Sequence, residues 1–104
     1  LTGYLHGRGG GWPHPFRNGY MATKERIETS RYYDVVNFAR KVSVPVFYSY
    51  GFNDMTCCPT STTAAYNAIP TADKERWIVP EIEHWTYPEQ NTARSKWMME
   101  QLKK

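Results

Sequence analysis

Two short apolar runs, "SVPVFYSYGF" (43–52) and "RWIVPEI" (76–82), each followed by a helix-like segment, constrain this chain more than any other feature. The first is almost continuous in apolar, β-branched and aromatic residues, which marks a strand buried on both faces. Pro45 stands near its start, where a missing N–H is tolerated. Upstream, Val35, Phe38, Ala39 and Val42 recur at i, i+3, i+4 and i+7, and this predicts a helix from about residue 23 to 42. Between the strands, Pro59 suits a first helical position and "TSTTAAYNAI" forms the body of a second helix. Its Ser and Thr content makes that helix intrinsically weak, so packing must hold it. "ADKE" reads as a solvated connection. The terminal "PEQNTARSKWMMEQLKK" predicts a third helix, with Pro88 and Glu89 at its start and two lysines at its end. Ala93, Trp97, Met98 and Leu102 form its apolar stripe.

Strands alternating with helices imply parallel pairing in a layered α/β sheet. Two parallel strands alone leave both outer edges unpaired, which does not make a stable domain. The expectation is therefore that further strands lie upstream of Leu1. The chain starts without Met, inside a Gly/Pro/aromatic loop that occupies residues 1–20, so residue 1 is read as an internal position. Residues 21–104 carry the helix-strand-helix-strand-helix series, and the whole reads as one part of a single domain.

Composition excludes several function classes. A net charge of +3 over 104 residues, with acids interrupting the bases, describes a solvated face and predicts no nucleic-acid partner. No apolar run approaches the ~20 residues that span a bilayer, so no membrane role is predicted. Cys57 and Cys58 are adjacent; a vicinal pair bridges only with strain, and two lone thiols match neither a disulfide framework nor a zinc spacing. Nothing ties His6, His14 and His84 to a common metal. "GRGGGW" follows no strand and completes no phosphate fingerprint. No cofactor and no metal site are predicted.

The chemistry concentrates at the strand ends. In open α/β sheets ligands bind beyond the carboxyl ends of the strands, where Asp54 and His84 fall. A serine esterase triad needs a histidine to take the nucleophile's proton and a buried acid to fix that histidine. In α/β-hydrolases the order is nucleophile, acid, histidine. Asp54 and His84 follow that order, but Ser30, Ser43, Ser49, Ser61 and Ser95 all lie outside any G-x-S-x-G elbow. The structural alternative is that Asp54 simply makes an Asx-turn or caps the next helix.

The blocks "GYLHGRGGGWP", "YYDVVNFA", "PVFYSYGFNDMTC", "CPTSTTAAYNAI" and "IEHW" together resemble the C-terminal portion of the acetyl xylan esterase and cephalosporin C deacetylase family. These are α/β-hydrolases that remove acetyl groups from sugars and related esters. The resemblance implies the C-terminal part of an α/β-hydrolase fold, with Asp54 as catalytic acid, His84 as general base, and the serine and oxyanion donors upstream in the same polypeptide. It implies an acetylated carbohydrate as substrate and an oligomeric assembly. The compartment would be periplasmic or extracellular for polymeric xylan and cytoplasmic for small acetylated sugars. Two departures stand out: Cys58 replaces the first of two prolines, and Glu83 and Trp85 replace the usual Gly and Glu around the histidine. Trp85 and Trp12 are candidates for a substrate rim. The competing readings are a dienelactone hydrolase-like or prolyl peptidase-like piece, and a non-catalytic glycan-binding module built on aromatics.

Overall fold

The computed structural model of the chain describes Phe16 and residues 19–104. Most of the Gly/Pro/aromatic loop, with His6, Trp12 and His14, lies outside the described residues. After a short 3-10 turn at Gly19–Met21, the order is α1 (Lys24–Ser30), a second 3-10 turn (Arg31–Tyr33), α2 (Val35–Ala39), β1 (Val46–Gly51), α3 (Pro59–Ala68), β2 (Lys74–Val79) and α4 (Pro88–Gln101).

The long first helix expected from the apolar spacing is broken in two. Thr23 caps α1 by accepting the Arg26 N–H at 3.3 Å. At Asp34 the backbone becomes extended (ψ 124°) and its carboxylate accepts the Val36 N–H at 3.1 Å. A short acidic side chain satisfies an orphan N–H of the following turn, and this favours a fresh helix start over continuation. Of the predicted stripe only Ala39 is buried; Val35 and Phe38 are about three-fifths exposed. α2 rests against α3.

β1 and β2 pair in parallel, from Val46 opposite Lys74 to Gly51 opposite Val79. The second strand thus starts two residues before the apolar run and stops before Pro80. Lys74, expected in a solvated connection, has a structural task. Its Nζ donates to the carbonyls of Ile69 (2.6 Å) and Tyr66 (3.1 Å), both at the C-terminal end of α3. The Tyr66 carbonyl also accepts the Ile69 N–H at 3.2 Å, and a cation at this end of the helix complements its dipole. The ammonium lies 4.6 Å from the Tyr66 ring centre as well.

Side chains alternate across the sheet, as strand geometry requires. Phe47 meets Trp97 of α4 with ring centres 5.9 Å apart. Tyr48 meets Tyr66 at 5.7 Å, and the Tyr50 hydroxyl bonds Thr63 Oγ1 at 2.6 Å, both on α3. The sheet is therefore a layer between α3 and α4. Burial is uneven: β1 is only half-buried from Val46 to Ser49 and becomes buried at Tyr50 and Gly51. The third helix ends earlier than expected, so Lys103 and Lys104 lie past it, and Lys104 Nζ reaches Asp73 at 3.8 Å. Met98 and Leu102 of its stripe are exposed.

Candidate functional site

The packing becomes tightest at the carboxyl ends of the two strands. Gly51 closes β1 against the backbone and side chain of Ile82, so near that a Cβ on residue 51 would collide with the Ile82 carbonyl. Ile82 is 1% exposed. The chain leaving β1 then bonds the chain leaving β2: Phe52 N–H donates to Val79 O at 3.4 Å and Asn53 N–H to Ile82 O at 3.2 Å. Asn53 Nδ2 adds a bond to Glu81 O at 3.4 Å. Asp54 and His84 each sit two or three residues beyond this lock.

The lock brings them together. His84 Nδ1 lies 2.9 Å from Asp54 Oδ2. Oδ1 of the same carboxylate accepts the Thr56 N–H at 2.8 Å and the Cys57 N–H at 2.7 Å. Asp54 is buried, whereas the His84 side chain is 58% exposed. Burial alone would raise the Asp54 carboxyl. The Cys57 amide, the His84 hydrogen bond, the Thr56 amide and the His84 charge outweigh it and hold the group below its ordinary value. An ionised Asp54 can only accept, so Nδ1 carries the proton and Nε2 of the neutral ring keeps its lone pair. The geometry is a buried anion fixing the tautomer of an accessible base.

Two further residues complete the picture. Trp85 is 71% exposed directly after His84, while Trp12 lies outside the described residues. Cys57 was not singled out by the sequence for any chemistry. Its amide positions Asp54, and its Sγ lies within 4.8 Å of ligand atoms on both Asp54 and His84. The signal for it was present in the Asx-turn propensity of Asp54, which folds the three following residues back over the carboxylate. No helix among the described residues is long and apolar enough to cross a membrane.

Comparison with known proteins gives a consistent result. The family model for acetyl xylan esterase (AXE1) matches residues 15–101. Acetyl esterase Axe7A of Xylanibacter ruminicola is 46% identical over 103 residues, which are 99% of this chain and 23% of that relative. The chain thus spans about a quarter of the length of that curated relative. No solved structure matches it.

Proposed function

The chain belongs to the acetyl xylan esterase family, and from that premise we propose that it carries the acid and base of a serine carboxylic-ester hydrolase that deacetylates sugars such as xylo-oligosaccharides. The observation that carries this reading is the 2.9 Å contact between His84 Nδ1 and a buried Asp54 whose other oxygen is held by two amides. That is the arrangement a triad needs on its acid–base side.

In the complete enzyme, a serine from upstream in the same polypeptide attacks the acetyl carbonyl, and His84 Nε2 takes its proton. Asp54 stabilises the imidazolium that forms and remains ionised. The sugar hydroxyl leaves with the proton from Nε2. Water then attacks the acyl-enzyme with His84 again as base, and acetate is released. Ser30 and Ser61 of this chain are poor substitutes for that nucleophile. Ser30 Oγ donates to Ile27 O at 2.7 Å and Ser61 Oγ pairs with Cys58 Sγ at 3.2 Å. The unit on its own is inactive in this reading, and it belongs to an α/β-hydrolase domain whose other strands flank β1. Trp85 offers a flat apolar face on which a sugar ring can stack.

The test is acetate release from acetylated xylan and from a small acetyl ester by the natural polypeptide carrying this segment. Asp54→Asn should lower kcat on the order of 10⁴-fold, because the wrong tautomer is then favoured, with little change in KM. His84→Ala should cost at least as much. Activity within a few-fold of the parent in Asp54→Asn would reject the assignment.

A further inference from the structure

We propose that Asp54, Cys57 and His84 form an inhibitory site for a thiophilic divalent cation, zinc above all, which binds in place of the proton shared by the acid and the base. The inference rests on the catalytic reading of Asp54 and His84 given above, and adds a means of switching that pair off. One carboxylate oxygen, the Cys57 Sγ and one imidazole nitrogen lie within 4.8 Å of one another. Ligand atoms around a tetrahedral zinc ion stand about 3.3–3.8 Å apart, given metal–ligand bonds of roughly 2.0–2.3 Å. An adjustment of about 1 Å separates the two arrangements, because the 2.9 Å between His84 Nδ1 and Asp54 Oδ2 must open slightly and the widest pair, at up to 4.8 Å, must close. The exposed His84 side chain can supply it, while Asp54 stays fixed by its two amides.

The donor set also selects the metal. Thiolate, imidazole and carboxylate together suit zinc and its neighbours in the first transition row, and disfavour magnesium and calcium, which take oxygen ligands. Three protein ligands leave a fourth position for water. Binding releases the thiol proton to solvent; where Nδ1 is the ligand, the ring proton passes from Nδ1 to Nε2 and the imidazole stays neutral. Coordination through Nδ1 removes the hydrogen bond to Asp54 and leaves the ring proton on Nε2, which then has no lone pair with which to accept another. Coordination through Nε2 occupies the base outright. Either way the ester is not cleaved. The site is therefore an inhibitory one, and the reaction itself calls for no metal.

The experiment uses the natural polypeptide carrying this segment, stripped of metal with a chelator. Zinc chloride is titrated into the ester assay, each variant read against its own zinc-free rate. Loss of an outer-shell partner already costs about 10- to 100-fold in metal affinity, so loss of a ligand in Cys57→Ser should raise the half-inhibiting zinc concentration at least tenfold. Cys58→Ser should leave it near the parent value. With cobalt(II) in place of zinc, the parent should gain a thiolate-to-metal charge-transfer band that Cys57→Ser lacks. A measurement on the parent alone covers the case in which Cys57→Ser fails to fold: zinc should slow iodoacetamide alkylation of Cys57, and not of Cys58, as read by peptide mass spectrometry. Equal zinc inhibition in parent and Cys57→Ser, or no zinc protection of Cys57, overturns the site. A polypeptide with no esterase activity overturns the catalytic reading instead, and the cobalt and alkylation results still decide the ligand set.

Discussion

At the scale of single residues, Asp54 divides two tasks between two oxygens. Oδ1 makes the Asx-turn that folds Thr56 and Cys57 over it, and Oδ2 holds His84. The structural and the chemical readings of this residue are not rivals: the turn is what aims the second oxygen. The same bonds make Asp54 a contributor to stability. Its carboxyl is held below the ordinary value of 3.8 in the fold, so the unfolded chain takes up the proton more readily. The contribution is complete above the unfolded value and is lost as pH falls through the folded one. Urea unfolding from neutral pH down to about pH 3 should show the parent losing its margin over Asp54→Asn across the carboxylate range. A margin that stays constant over that range would contradict this. Gly51 is the second residue on which the site depends. Gly51→Ala must push Ile82 away, an overpacking that costs about 1–3 kcal/mol. Since Ile82 and Gly51 fix the spacing of the two loops, the same variant should lower kcat when assayed in the natural polypeptide. A variant with parental stability would show that the strand ends are not locked there.

At the scale of elements, the alternation of strands and helices was legible because periodicity and β-branched runs are local. α3 begins at Pro59 and α4 at Pro88, as the missing prolyl N–H predicts. The Asp54–His84 pair was legible as an order, acid then histidine, each past a strand. The sequence was silent on what depends on contacts across the chain. The break at Asp34 shows the limit well. The helical period of Val35, Phe38, Ala39 and Val42 fits a long helix and a fresh one equally, and the N-cap bond from Asp34 decides for the fresh start. Lys74 is the clearest case, because composition assigns it to solvent while the fold uses it to close α3. Lys74→Met keeps the aliphatic stem and removes two charge-assisted bonds to the Ile69 and Tyr66 carbonyls. The half-exposed setting places the expected loss near the low end for such bonds, about 1–2 kcal/mol. Chemical denaturation of the natural polypeptide measures it; a loss below a few tenths of a kcal/mol would mean water replaces the ammonium at no cost.

At the scale of the whole molecule, the sheet is thinner than its sequence calls for. The strand run of β1 is apolar enough for burial on both faces, yet most of its side chains are only half-buried. The chain exposes 7500 Å², where a compact monomer of 12.1 kDa exposes about 6000 Å². The excess includes large apolar groups on several elements: Tyr32, Tyr33, Val35, Phe38, Met98 and Leu102 are all more than half exposed. Exposed apolar area on this scale marks surfaces that other protein covers. Span and surface agree, since the matching stretch is 23% of its relative. The 104-residue chain produced alone should accordingly self-associate or unfold without a sharp transition. Light scattering after size exclusion would report the first, and urea unfolding followed by far-UV circular dichroism and by tryptophan fluorescence the second. Non-coincident transitions are expected from the two probes, because α1 and α2 are largely exposed and α2 reaches the sheet through α3. The natural polypeptide should merge them into one cooperative step. A monomeric 104-residue chain with coincident, reversible transitions would show instead that two parallel strands between α3 and α4 suffice as a domain, and the case for covering strands beside β1 would fall with it.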